Sequence, residues 1–388
     1  MSKTAQRMIL VTHYYPDHGG GIERVAAALS ARLAQGHGWK IVWLASDTDP
    51  SPCDLGENVR CLPARAWNGV ERKLGVPWPV WSPSALMVLW REIENTSVVY
   101  LHDALYFGNA FAWLFACLRG IPVIVTQHVG TISFRSATLR AIHSMANRTL
   151  GRLVLSTADQ VVFISPAVRD DFAQYCRFRV PPVYWPNGVD TDIFCESSPM
   201  PDHPAIADAC CRGKRILLFV GRFVEKKGLS ILHELAGSFP NDLWVFAGHG
   251  PLDPAQWGLS NVLVIRGESG AGLARYYRVA DLLVLPSVGE GFPLVVQEAM
   301  ACGTPAMVGE ETAAGCPEAR PLLIVEKVGA GDTAPCWARR LAELREQPER
   351  LRGMRAEVAR FARERWSWEN TAAAYAELFG SLCARREK

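Results

Sequence analysis

Short runs of consecutive apolar residues alternate along the chain with longer stretches in which apolar positions recur every three or four residues. The runs Met8–Val11, Ile41–Leu44, Val98–Leu101, Val123–Val125 and Val161–Ile164 show no polar alternation. That is the pattern of strands covered on both faces of a parallel sheet. Helical periodicity fills the gaps and predicts helices over Ile22–Ala34, Ser84–Ile93, Ala104–Leu118 and Ala137–Leu155. A second series of strands follows at Ile216–Val220, Trp244–Ala247, Val262–Ile265, Leu282–Leu285 and Leu322–Val325, with helices such as Leu229–Gly237 and Gly272–Val279 between them. Strand then helix, repeated twice over, predicts an α/β protein of two doubly wound domains. The first covers 1–190 and the second 213–366, joined by a linker over 191–212 whose CESSPMPDHP segment is rich in Ser and Pro. The stretch Pro63–Pro83, with four Pro and Trp67, Trp78 and Trp81, reads as a surface loop packed by its own aromatics or as a substrate wall.

Length and composition narrow this picture without changing it. At ~100–200 residues per domain, 388 residues make two or three domains, and 49% apolar residues exclude disorder. The balance of 41 Lys and Arg against 39 Asp and Glu removes the general basic footprint of a nucleic-acid binder. Eleven Cys without a single C-x-x-C argue against a disulfide framework or structural zinc and fit a reducing cytoplasm. No long apolar region follows MSKTAQRM, so a secretory signal is not expected. The longest apolar run, Ala104–Leu118, is broken by Gly108 and Asn109 and falls short of the ~20 residues that span a bilayer.

Candidate chemistry lies after the strands. Following the first is His13-Tyr-Tyr-Pro-Asp-His-Gly-Gly-Gly21, where a helix opens. A glycine-rich turn at a helix N-terminus offers free N–H groups to an anion; a tight turn with no ligand reads equally well from this motif alone. The second domain opens with a strand and then Gly221-Arg222-Phe-Val-Glu-Lys-Lys227-Gly228. A forked guanidinium and a mobile ammonium at the carboxyl end of a parallel strand suit a diphosphate. After the strand Leu282–Leu285 comes Pro286-Ser-Val-Gly-Glu290-Gly-Phe-Pro-Leu-Val-Val-Gln-Glu298. Glu290 then precedes a helix and Glu298 lies one turn inside it, with the N–H groups of Phe292–Leu294 between, a set able to hold a polyhydroxylated, phosphate-bearing ligand.

Together, the Glu290…Glu298 spacing, GRFVEKKG, AGHGP, GGGIERV and PNGVDTDIF resemble the GT-B retaining glycosyltransferases of family 4, the glycosyl transferases group 1. The resemblance runs from His13 to the terminal RERWSWENTAAAYAELF. It implies two Rossmann-like domains facing across a cleft, with a final helix at about 367–388 packing back on the first. It also implies a nucleoside diphosphate sugar donor and a hexosyl unit moved to a glycan or lipid-linked acceptor, in bacterial surface polysaccharide or glycolipid assembly. By this resemblance Arg222 and Lys227 neutralise the donor diphosphate with the amides of Gly20 and Gly21. Glu298 takes the ribose hydroxyls and Glu290 those of the transferred sugar, beside Gly291, Phe292, Pro293 and Leu294. His128, in VTQHVG, matches a catalytic position beside the donor sugar, and His102-Asp103 resembles a pair facing the acceptor. The abbreviated CPEARPLLI departs from the family and leaves Glu318 without a role.

No cofactor and no metal are expected. The two D-x-D stretches, Asp47-Thr-Asp49 and Asp190-Thr-Asp192, are read as structural because Arg222 and Lys227 already supply positive charge. A same-fold epimerase or hydrolase and a non-catalytic nucleotide-sugar binder remain alternatives, whereas the absence of G-x-G-x-x-G after the first strand disfavours a nicotinamide enzyme. Near-neutrality is itself a cancellation: residues 1–190 carry 18 basic and 14 acidic residues, and residues 191–388 carry 23 and 25. From Ala104 to Ala158 no acidic residue occurs, while Arg119, Arg135, Arg140, Arg148 and Arg152 do. That stretch is either a solvated basic face or a contact for an anionic membrane. The expected location is cytoplasmic, and peripheral on the inner face of the membrane under the second of these readings.

Overall fold

The computed structural model describes residues 6–74, 76–130, 136–197, 199–289, 291–329 and 333–386; Glu290 and Arg135 lie outside the described residues. The chain divides into two units, one of Met1–Asn187 with Trp368–Lys388, the other of Gly188–Ser367.

In the first unit the strands are β1 (Arg7–Val11), β2 (Lys40–Ser46), β3 (Val59–Ala64), a short ribbon of β4 (Ala66–Trp67) and β5 (Val80–Trp81), then β6 (Val98–His102), β7 (Val123–Gln127), β8 (Gln160–Phe163) and β9 (Val183–Tyr184). Apart from the ribbon they form one sheet in the order β3-β2-β1-β6-β7-β8-β9. All its pairings are parallel. The two faces separate by the period of two: Ile9 and Val11 pack with Leu89 and Ala112 on one side, Met8 and Leu10 with Leu29 and Phe379 on the other. The last helix, Trp368–Arg386, belongs to this unit. Tyr375 reaches Thr126 Oγ1 at 2.9 Å, and Phe379 meets Trp39 edge-on at 5.6 Å.

The second unit holds β10 (Ile216–Val220), β11 (Leu243–Ala247), β12 (Val262–Ile265), β13 (Leu282–Leu285), β14 (Ala306–Gly309) and β15 (Ile324–Glu326), in the order β12-β11-β10-β13-β14-β15 and again parallel. Within the 191–212 stretch, Pro204–Cys211 is a helix that buries Ile206 and Ala209.

Three departures from the sequence pattern have local causes. The helix expected from Ala104 begins at Phe107, because Asp103 takes a left-handed φ of 64° and Asn109 Nδ2 ties down the carbonyls of His102 and Asp103. The helix expected over Ala137–Leu155 is Ala137–Ala146 and Arg152–Thr157 with one π turn, Asn147–Gly151, between them. Thr149 Oγ1 there donates back to Met145 O at 2.8 Å, a competitor of the regular ladder. The Pro63–Pro83 stretch is not a plain loop: Pro63 ends in β3, an edge strand where a missing N–H is tolerated, and a helix Gly69–Leu74 follows the first half of the ribbon.

Candidate functional site

Open parallel sheets bind ligands where the strand order reverses, because the loops leaving two neighbouring strands diverge there. In the first unit that point lies between β1 and β6. The loop after β1 is pinned from both sides: Trp43 Nε1 donates to Thr12 Oγ1 at 2.8 Å, and the Tyr15 hydroxyl donates to Trp43 O at 3.1 Å. His13 is thereby fixed flat against the Tyr106 ring at 3.8 Å, with Nε2 3.0 Å from Glu23 Oε1. Glu23 is the third residue of the helix Gly21–His37 and its carboxylate turns back over that helix's own N-terminus. A side chain at Gly20 would collide with it. Burial works to raise the Glu23 carboxyl, but the hydrogen bond and charge of His13 outweigh it and hold the group below the usual carboxylate range. An anion arriving at the Gly20 and Gly21 amides therefore meets a carboxylate already in place.

The loops after β6 and β7 complete this end of the sheet. His102 Nδ1 and His128 Nε2 lie 2.8 Å apart with nearly parallel rings. Burial, chiefly, lowers both imidazoles: His102 is well below its ordinary value and His128 falls to about 3. The pair is accordingly neutral. Asp103 Oδ1 accepts the N–H groups of His128 at 2.8 Å and Val129 at 3.0 Å, which accounts for its left-handed backbone. Its Oδ2 is buried and has no hydrogen-bond partner among the described residues. Burial pushes this carboxyl up to about 7, against the lowering effect of the two N–H groups.

In the second unit the reversal lies between β10 and β13. Both following loops carry sequence-predicted residues, and the two are laced together. Val288 N donates to Lys226 O at 2.9 Å, and Gly228, with φ 76°, lies so close to Pro286 that any side chain would strike its carbonyl. Arg222 is exposed at the start of the first loop, and Lys227 is half-buried with its aliphatic stem over Gly221. The second loop is supported from beneath. Gly289 N donates to Glu311 Oε2 at 3.0 Å, and Phe292 packs on Trp366 at 5.3 Å. Pro293 caps the helix Leu294–Ala301, within which Glu298 Oε2 accepts the hydroxyl of buried Tyr277 at 2.8 Å. Gly291 and Leu294 flank this cap, half-buried.

Both units contain long segments that known proteins share with the chain. Residues 19–193 match the model of Glycosyltransferase Family 4, and residues 214–346 that of Glycosyl transferases group 1. The chain belongs to glycosyltransferase family 4. Curated relatives are similarly placed. The D-inositol 3-phosphate glycosyltransferase of Xylanimonas cellulosilytica is 27% identical over 371 residues, 88% of this chain and 86% of that one. The counterpart from Segniliparus rotundus is 28% identical over 70% of this chain, and the match spans 64% of its length. The GDP-mannose-dependent alpha-(1-6)-phosphatidylinositol monomannoside mannosyltransferase of Mycolicibacterium smegmatis is 29% identical over 62% of this chain and 66% of its own. Among solved structures, sucrose-phosphate synthase from Thermosynechococcus elongatus superposes with a TM-score of 0.76 at 19% identity, covering 98% of this chain and 100% of that one. Anabaena Alr3699/HepE in complex with UDP and glucose gives 0.71 at 13% identity, covering 97% and 100%. The fold is GT-B.

Within this family 4 chain, Gly20, Gly21, His102, Asp103 and His128 fall in the first matched segment; Arg222, Lys227, Gly291, Phe292, Pro293, Leu294 and Glu298 fall in the second. The structure groups the first set with His13, Glu23 and Tyr106, which sequence reasoning passed over. Glu23 had a signal, an acidic residue at the third position of a helix opened by glycine. Tyr277, twenty-one residues before Glu298, had none. The D-x-D stretches are engaged locally: Asp47 Oδ1 accepts Ala66 N, Asp49 Oδ2 faces His18 Nδ1 at 2.8 Å, and Asp190 Oδ1 accepts the N–H groups of Asp192 and Ile193.

Proposed function

We propose that the chain transfers a hexosyl unit, with retention of anomeric configuration and without a metal ion, from a nucleoside diphosphate sugar to a glycan or lipid-linked acceptor. The observation that carries this reading is the laced pair of loops at the β10/β13 strand ends, with Arg222 and Lys227 on one and the Glu298 helix on the other. Negative charge grows on the diphosphate as the glycosidic C–O bond breaks, and fixed cations there lower the barrier with no reorganisation. Glu298, oriented by Tyr277, is assigned the ribose hydroxyls, and Glu290 those of the sugar. Gly20 and Gly21 are assigned to the diphosphate as well, which requires Glu23 to give way.

The acceptor oxygen bonds to the anomeric carbon on the face the diphosphate leaves, and its proton passes to the departing phosphate oxygen. No protein nucleophile enters, since the carboxylates are assigned to binding hydroxyls. His128, neutral beside His102, is placed as a donor or acceptor toward the sugar, and His102 and Asp103 toward the acceptor. Among the described residues no helix is long and apolar enough to cross a membrane. Ile142, Met145 and Leu153 are exposed alongside Arg140, Arg148 and Arg152. That composition supports peripheral contact with an anionic membrane in surface polysaccharide or glycolipid assembly. The test incubates UDP-glucose and GDP-mannose with candidate acceptors in excess chelator. Acceptor-dependent donor consumption with an unchanged anomeric configuration by NMR supports the reading. Equal consumption without acceptor, an inverted product, or activity lost to chelator refutes the corresponding part.

A further inference from the structure

Beside Asp103 the first unit contains a cavity of about 190 Å³ that the foregoing roles leave empty of purpose. Its walls are apolar: Pro77, Trp78, Leu105, Val129, Leu139 and Ile142. Of the polar residues at its edge, Gln127 is spent, accepting Ala104 N at 3.1 Å and donating to Val129 O at 2.7 Å. Asp103 differs. It is 3% exposed, one oxygen holds two backbone N–H groups, and Oδ2 has no partner among the described residues. A buried, unmatched carboxyl oxygen costs free energy unless something meets it, and because Asp103 lines the cavity, a ligand hydroxyl that reaches Oδ2 offsets that cost. The π turn at Asn147–Gly151 adds to this, since such turns interrupt helices at binding sites and this one brings Asn147 to the cavity. Trp78 and Ile142, at 42% and 52% exposure, leave an apolar rim at the mouth.

We infer that this cavity seats a hydrocarbon group carried by the acceptor, with the acceptor's hydroxyl on Asp103 Oδ2. The word acceptor rests on the transfer reading above; the cavity and its occupant do not. An apolar cavity of ~150 Å³ accepts a benzene ring, so this one takes a group of about six carbons. A glycan without such a group leaves Trp78 and Ile142 facing water and gains nothing from these walls.

Straight-chain alcohols present the two features alone, a hydroxyl and an alkyl chain. Ethanol, butanol and hexanol are titrated into the full chain, and the Trp78 indole N–H, assigned by Trp78→Phe, is followed by NMR. Affinity is expected to rise about fourfold per methylene up to about six carbons. Ala146→Phe, which fills the cavity, is expected to abolish that dependence, with Leu139→Trp as a second filling variant should the first not fold. Asp103→Asn is expected to weaken all the alcohols by a similar factor while the dependence on length persists. Equal affinity for ethanol and hexanol, or hexanol binding unchanged in both filling variants, overturns the inference. Turnover of UDP-glucose and GDP-mannose on the same samples separates the two readings. Absent turnover with an intact length series removes only transfer; turnover with a flat series removes only the cavity's occupant.

Discussion

Asp103, His102 and His128 carry opposite protonation consequences of the same burial. Unfolded imidazoles titrate near ~6.5 and an unfolded Asp near ~3.9. Folded His128 is held down at about 3 and His102 is lowered too, while folded Asp103 is held up at about 7. Between pH 6.5 and 4 the unfolded chain therefore binds two protons on the imidazoles that the folded chain refuses. Over the same interval the folded chain keeps one on Asp103 that the unfolded chain has lost. For these three groups the unfolded state holds a net excess of about one proton, so their share of the stability falls on acidification, by about 1.4 kcal/mol per pH unit. His128→Asn is expected to flatten that slope, read from urea denaturation at several pH values. Tyr277 offers a separate test at this scale, because its hydroxyl holds one oxygen of Glu298. Losing a hydrogen bond to a charged group costs about 1.5 kcal/mol, so Tyr277→Phe is expected to raise the donor KM about tenfold with kcat within twofold. A fall in kcat alone contradicts a positioning role.

The elements show which signals a sequence carries. Buried strands such as β6 and β10 announce themselves as uninterrupted apolar runs, and the loops after β10 and β13 as glycine-bounded charged segments. β3 was illegible because it lies at the sheet edge, where its polar positions and Pro63 are tolerated. β9, two residues long, is too short to show a period. The break in the helix after Ala146 depends on a hydroxyl bonding back along the turn, which no periodicity reports. Gly228 acts at this scale by setting the distance between the loops after β10 and β13. Its left-handed φ alone penalises a β-carbon by about 1–2 kcal/mol, and the collision with Pro286 adds to that. Gly228→Ala is expected to destabilise the second unit by about 2–4 kcal/mol in chemical denaturation. A loss below 0.5 kcal/mol contradicts the close approach of the loops.

At the scale of the molecule, each unit encloses its own core, and the chain contributes to the first unit twice, at its start and in Trp368–Arg386. The doubled series of apolar runs made the two sheets legible. The candidate sites were legible to the extent that motifs sit in strand-end loops; the second ring of residues that aims them was not. His13 holds Glu23, Tyr277 holds Glu298 and Glu311 holds Gly289 across 10, 21 and 22 positions of chain, distances only folding closes. Arg222 and Lys227 are proposed to hold a nucleoside diphosphate. Calorimetric titration of UDP, GDP and ADP into the wild-type chain and into the double variant Arg222→Ala/Lys227→Ala tests it. Removing two charge-assisted contacts at about 1.5–3 kcal/mol each is expected to weaken the preferred diphosphate at least 100-fold. An unchanged affinity in a folded double variant contradicts the account.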